Sequence, residues 1–226
     1  MRKGDQSRRE LTARATAMFD ERGYESVSMR DIAQSLNWPK SLIYYYCTGK
    51  AQLAQVAAHE CAEAVLSDAR ARVEACPSDS RARLEAALSC AGFWRGDALA
   101  AARELHTRYS PGNLAWRACL RAQLAPALGA LCNDIVARGV QAYELYTPFP
   151  GQMGQVAVGL TGDLADALAQ LICATHDEAE LLERADALLR AHRCALERLV
   201  EAPFGTLRLV ELEYVRDAAR AYEFKR

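Results

Sequence analysis

Residues 28–50 read Ser-Met-Arg-Asp-Ile-Ala-Gln-Ser-Leu-Asn-Trp-Pro-Lys-Ser-Leu-Ile-Tyr-Tyr-Tyr-Cys-Thr-Gly-Lys, and few folds accommodate such a run. Ser28 with Asp31 three residues later has the spacing of a helix N-terminal cap. Ile32, Ala33 and Leu36 make one apolar stripe behind it. Asn37 tolerates positive φ and so suits a turn. Pro39 suits the start of a second helix, where a missing N–H is not needed. Two short helices joined by so tight a turn describe a helix-turn-helix, the arrangement that lays its second helix in the major groove of DNA.

The rest of the chain reads as helix. Upstream, Ser7 and Glu10 have capping-box spacing, and Leu11, Ala15, Met18 and Phe19 follow on one face. Gly23 is placed to end that helix in the left-handed conformation. A long helix is predicted from Lys50 to about Ala75, broken by Cys76-Pro77-Ser78-Asp79. Further helical pattern covers Ser80–Arg108, interrupted around Gly92–Gly96, then Leu114–Arg138 with a kink expected near Pro126. Tyr109–Asn113 is a turn cluster, and Gly139–Gly151 reads as an irregular connection. Helices are predicted at Gln152–Ala174, Asp177–Glu201 and Thr206–Glu223. With no strand alternation of useful length and no internal repeat, the expected class is all-α.

Composition narrows the function classes. The chain has 226 residues, 51% of them apolar, and a net charge of −1. Residues 1–53 carry nine Lys/Arg against six Asp/Glu, and the remainder nineteen against twenty-three. A basic head on an acidic body points to a phosphate-binding end. We found no run of about 18 apolar residues and no apolar stretch behind the N-terminal charges, so the expectation is a cytoplasmic protein with no membrane partner. The eight cysteines are then expected as thiols. They are widely spaced with no Cys-x-x-Cys pair, and the four histidines are scattered, so neither a metal site nor a cofactor is expected. No nucleophile elbow, glycine-rich phosphate loop or His-Glu-x-x-His motif is present, and no enzymatic activity is expected.

Residues 7–53 resemble the DNA-binding head of the TetR family of bacterial repressors. The matching positions are Leu11, Ala17 and Phe19, then Gly23-Tyr24, then Ser28, Ile32-Ala33 and Leu36, and last Ile43-Tyr44-Tyr45, Lys50 and Leu53. Small, aromatic and charged positions agree in one register. The sequence departs from the family at Asn37-Trp38-Pro39, usually Gly-Val-Ser, and at Ser41-Leu42, often Gly-Thr. It departs again at Tyr46-Cys47, usually His-Phe, and at Gly49, commonly Ser. These departures lie in and around the reading helix, so the operator is not legible by analogy.

The resemblance implies a three-helix head over residues 1–53 and a larger helical domain over 54–226 that binds a small effector and dimerises. Chemistry suggests the contacts. Lys40, Ser41 and Leu42 fall on the first turn of the recognition helix, where side chains approach base edges. Lys40 suits guanine O6/N7, and Leu42 suits a thymine methyl. Tyr44 and Tyr45 offer hydroxyls to phosphates, with Tyr46 extending that face. Lys50 stands at the next helix N-terminus, where backbone N–H groups and an ammonium together hold a phosphate. Ser28 and Arg30 offer similar contacts. Each has a plainer reading: Ser28 as a cap only, Lys40 as a solvated lysine, Trp38 as packing, and Tyr44 as the inward member of three consecutive tyrosines.

In the body, Val156, Val158, Leu160, Leu164, Leu168 and Leu171-Ile172 form one broad apolar face. Leu181, Leu182, Ala185, Leu188, Leu189, Leu196 and Leu199 form another. Two such helices suit an antiparallel hairpin that either pairs with a second copy in a four-helix interface or closes an internal core. Phe93, Trp94, Trp116 and Tyr143, with Tyr109 and Phe149 nearby in sequence, are candidates to line an effector cavity anchored by Arg103 or His106. Core packing is the competing explanation. The leading reading is a dimeric repressor released from a palindromic DNA operator by an unidentified small-molecule effector. Two alternatives remain: a thiol-based redox regulator acting through a residue such as Cys47, and a helical interaction protein that has lost DNA binding.

Overall fold

The structure, a computed structural model, describes residues 3–76 and 79–223. Pro77 and Ser78 of the expected break lie outside the described residues. Ten α-helices and no strand occur among the described residues: α1 Lys3–Arg22, α2 Met29–Ser35, α3 Lys40–Tyr46, α4 Lys50–Ala75, α5 Ser80–Leu88, α6 Ala98–His106, α7 Leu114–Gln141, α8 Pro150–Ala174, α9 Glu178–Leu199 and α10 Leu212–Glu223. The chain is thus all-α. It divides into two compact units, one built from the residues up to Ala64 with His106–Leu124, the other from Val65–Leu105 with the residues from Ala125 onward.

The first unit is organised around Phe19, Ile32, Ile43 and Leu53, all fully buried, together with Leu11, Val27, Ala57 and Trp116. α1 begins a turn before Ser7, so the Ser7–Glu10 capping box is not made. Asp5 occupies the first turn instead, where the helix dipole favours an acid. Gly23 ends α1 at φ +84°, its N–H donating to Phe19 O at 3.1 Å. At α2 the capping box is complete: Asp31 N donates to Ser28 Oγ, and Ser28 N donates to Asp31 Oδ2 at 2.8 Å. Asn37 takes φ +53° at the turn, and Trp38 N–H donates to Ala33 O at 3.0 Å, closing the chain back on α2 before Pro39 leads into α3. Along the seam of α1 and α4, Thr12 hydrogen-bonds Glu60 and Thr16 approaches the Cys61 thiol.

In the second unit α8 packs on α9, and α10 packs on both. Val158, Leu164, Leu168, Leu171 and Ile172 of α8, with Leu181, Ala185, Leu189 and Leu196 of α9, are buried within this one chain. Most of the two expected apolar faces is therefore internal core, while Val156 stays exposed and Leu160, Leu182, Leu188 and Leu199 are half-buried. Gly154 lets α8 approach α7 closely, since a Cβ there would stand 2.2 Å from Asn133 N and 2.4 Å from the Cys132 carbonyl carbon. By length and mean hydropathy α8 is long and apolar enough to cross a membrane, although Gln, Thr and Asp residues interrupt it and it is no continuous apolar run. Half of its most apolar window is buried inside the protein, as in a core helix.

Further boundaries differ from the sequence expectation. α7 runs unbroken through Pro126 as far as Gln141. α8 starts two residues early, with Pro150 at its first position, where proline's fixed φ suits a helix. The last helix starts at Leu212 rather than Thr206. The buried carboxylate of Glu197 accepts the N–H groups of Thr206 and Leu207 at 2.8 and 3.1 Å, and Glu85 accepts that of Arg208 at 3.0 Å. Side chains that satisfy the backbone in this way hold it out of the helix.

Candidate nucleic-acid interface

α3 is seven residues long and inserts only Ile43 fully into the core. Its remaining positions fan outward because a helix anchored on one side presents the others to solvent. Lys40 and Ser41 are exposed and Leu42 is half-buried. Tyr44 and Tyr45 are 44% and 80% exposed, and Lys40 Nζ lies 5.7 Å from the Tyr44 ring. Tyr46 is the tyrosine that turns inward. It packs against the core, 6.1 Å from the Trp38 ring and 5.2 Å from Tyr45. Trp38 is itself partly buried against the same core.

Ser28 and Arg30 are exposed at the start of α2. The Ser28 hydroxyl donates to Asp31 Oδ2 at 2.7 Å, and these Ser28 hydrogen bonds hold the Asp31 carboxyl below the usual carboxylate range. Lys50 is half-buried at the first position of α4. Its ammonium sits 4.2 Å from the centroid of the Tyr24 ring and donates to Glu25 O at 3.4 Å. At the same helix end Gln52 Oε1 accepts from both Thr48 N and Thr48 Oγ1.

The turn that carries Tyr24 is held by residues that sequence reasoning missed. Asn113 is fully buried. Its Oδ1 accepts from Tyr24 N at 2.7 Å, and its Nδ2 donates to Phe19 O at 2.8 Å and Thr107 O at 3.0 Å. Asp20 receives Arg108 through Nε and Nη2 at 3.2–3.3 Å, and Trp116 Nε1 at 2.9 Å. Phe19 lies 5.1 Å from the Tyr24 ring and 5.2 Å from Trp116. Burial pushes the Tyr24 hydroxyl pKa upward. The sequence signal for Asn113 was only that of a turn residue, with Tyr24 and Phe19 eighty-nine and ninety-four positions away.

The residues named as effector-binding are divided between the two units. Trp116 belongs to the core of the first unit, its ring against Phe19 and its N–H on Asp20. His106 is half-buried in that same unit. Phe93 and Trp94 are buried in the second unit with their rings 5.3 Å apart, while Arg103 is exposed. Tyr143 is 80% exposed at φ +59° and lines nothing enclosed. The indole N–H of Trp94 is buried without a hydrogen-bond partner.

Cys47, Cys90 and Cys132 are buried and behave as small core groups. Cys47 is buried and donates to Ile43 O at 3.5 Å. Burial raises the pKa of Cys47, Cys61, Cys90 and Cys119, and pushes Cys132 up to about 12. A sensor thiol needs the opposite shift. No group of three or more potential metal ligands occurs among the described residues.

An α2–turn–α3 unit with an outward face of lysine, serine and tyrosine defines a helix-turn-helix protein of the DNA-binding class. Residues 11–57 match the family described as bacterial regulatory proteins, tetR family. Over these residues the chain is similar to the DNA-binding head of that family of regulators. No curated protein sequence matches the chain. Solved structures share its fold at low identity. FadR from Bacillus subtilis, in complex with stearoyl-CoA, is 16% identical with a TM-score of 0.57, over 85% of this chain and 97% of that one. RolR without ligand is 16% identical with a TM-score of 0.56, over 95% and 96%. A tetR-family regulatory protein from Rhodococcus RHA1 is 20% identical with a TM-score of 0.51, over 85% and 96%. RolR has also been solved with resorcinol, at 17% identity over 95% and 93% and a TM-score of 0.53.

Proposed function

We propose that the protein is a dimeric, cytoplasmic repressor that binds a palindromic operator and leaves it when a small molecule binds the body. The single observation that carries the DNA half of this reading is the outward face of α3, where Lys40, Ser41, Tyr44 and Tyr45 stand exposed around the buried Ile43. In this reading Lys40, Ser41 and Leu42 meet base edges. Tyr44, Tyr45 and Lys50 hold phosphates, with Ser28 and Arg30 on the backbone beside them. Tyr46 contributes at its edge. The functional division falls near residue 53, with residues 54–226 serving effector binding and dimerisation.

Dimerisation is supported by geometry of the target. A seven-residue reading helix covers few base pairs, and a second copy doubles the contact across an inverted repeat. The apolar positions of α8 and α9 not used internally, Val156, Leu160, Leu182 and Leu188, are suited to that contact. An effector is supported by the small molecules held by two structures of the same fold, stearoyl-CoA in FadR and resorcinol in RolR. Within this chain Phe93, Trp94 and Arg103 are the residues we assign to it. The partnerless indole N–H of Trp94 is a donor that a ligand acceptor would satisfy. Release follows when the effector favours a conformation in which the two heads do not fit the operator.

Selection of bound duplexes from a random pool tests this reading. The expected product is an inverted repeat with half-sites about one helical turn apart. Recovery of no enriched sequence, with no salt-dependent retention on duplex DNA, would instead favour an interaction protein that has lost DNA binding.

A further inference from the structure

Lys50 is placed by contacts that begin far from it in sequence. Its ammonium has three N–H donors. One is taken by Glu25 O at 3.4 Å, and the Tyr24 ring face lies 4.2 Å away, leaving a donor for a phosphate oxygen. Tyr24 is fixed from behind. Its backbone N–H is held by Asn113 Oδ1 at 2.7 Å, and its ring packs on Phe19 in a T-shaped pair at 5.1 Å. Asn113 also ties Phe19 O and Thr107 O, so the corner at residues 107–113 and the turn at residues 19–25 share one buried amide. The other end of the turn is clamped through Asp20 by Arg108 and Trp116. A cation held against an aromatic face in this way loses little freedom on meeting a phosphate.

We propose that Tyr24 is a positioning residue for the phosphate contact of Lys50, and that Asn113 acts through Tyr24 to set where that ammonium stands. The inference rests on the reading of Lys50 as a phosphate contact and adds the device that holds it. It also makes the 107–113 corner a control point for DNA affinity, since a shift of Asn113 is carried to Tyr24 by a direct hydrogen bond. Neither residue touches DNA in this account.

The test is a double-mutant cycle on duplex DNA read across a salt series. Lys50→Ala is expected to flatten the slope of log K against log salt by about 0.9, the loss of one phosphate contact. Tyr24→Leu is expected to weaken binding about two- to fivefold, as for an exposed cation–π contact, and to add nothing in the Lys50→Ala background. Tyr24→Phe keeps the ring face and is expected to bind as the wild type does. An unchanged slope in Lys50→Ala would remove the phosphate contact and the proposal with it. Additive losses in the cycle, or a Phe variant as weak as the Leu variant, would overturn the positioning role while leaving the contact.

A second readout does not need the Leu variant to fold. The chain has four lysines, Lys3, Lys40, Lys50 and Lys225, so reductive ¹³C-methylation gives a sparse NMR spectrum, with Lys50 assigned through Lys50→Arg. Stacking on Tyr24 predicts an upfield-displaced Lys50 signal in the wild type that moves toward the others in Asn113→Ala. A Lys50 signal at the ordinary position would overturn the stacking. An upfield signal untouched by Asn113→Ala would overturn the role given to Asn113.

Discussion

Asn113 uses both ends of its amide on buried backbone, satisfying Tyr24 N, Phe19 O and Thr107 O at once. Removing it leaves the Tyr24 N–H unpaired, while Phe19 O and Thr107 O keep the N–H groups of Gly23 and Ser110, at about 1–3 kcal/mol for the group left unpaired. Asn113→Ala is therefore expected to lower the thermal midpoint by several degrees in calorimetry, whereas a surface change such as Arg184→Ala should leave it almost unmoved. The thiols give a pH prediction. Cys132 has its pKa raised from 9.0 to about 12 by burial. It stays neutral in the folded chain while the unfolded chain ionises above about pH 9. Its contribution to stability is complete below pH 9 and is lost as pH rises from there toward 12. Melting curves from pH 8 to 11 should show a steeper decline for the wild type than for Cys132→Ala. Residue-scale roles were the hardest to read in the sequence. Trp116 reads as a cavity aromatic because aromatics from Phe93 to Phe149 concentrate in the middle of the body. Its true partners, Phe19 and Asp20, lie about ninety-six positions away, and no local pattern announces such a contact.

Elements were far more legible, because helix caps and turns are local chemistry. Ser28 with Asp31, Gly23 and Asn37 each sit where their side chains or permitted φ require. Boundaries failed where a distant group decided them: Glu197 and Glu85 capture the backbone at residues 206–208, so the final helix starts late. The broad apolar faces of α8 and α9 were visible as patterns, but which side faces the chain's own core was not, since periodicity does not say what covers a face. α8 offers a paired test. Gly154→Ala would push a Cβ into the backbone of Asn133 and Cys132, at an overpacking cost of about 1–3 kcal/mol. Gly159→Ala has nothing within 4 Å of the added Cβ, and replacing a helix-interior glycine by alanine is worth about 0.5–1 kcal/mol of stability. Denaturant titrations should therefore move the two midpoints in opposite directions.

At the scale of the whole molecule, the reading joins a basic reading head to an acidic helical body. The charge split and the Ser28–Lys50 pattern showed the class of function in the sequence. The departures at Trp38-Pro39, Leu42 and Cys47 have distinct structural consequences: Trp38 and Cys47 pack inward while Lys40, Tyr44 and Tyr45 remain outward. Under the proposed function, the substitutions that keep the head folded are thus separable from the ones that select DNA. Under the proposed function Lys40→Ala is expected to change base preference at one position of the selected site, by about 1–3 kcal/mol, and Tyr45→Ala to weaken all duplexes alike. The most direct measurement is the affinity of a Lys40→Ala/Tyr45→Ala/Lys50→Ala variant, checked for a wild-type melting curve, for the duplex selected by the wild type. The account predicts that the folded triple variant loses the preference for that duplex over random DNA and flattens its salt dependence. A triple variant that binds the selected duplex with wild-type affinity and salt slope would show that α3 and the start of α4 are not the DNA-binding face.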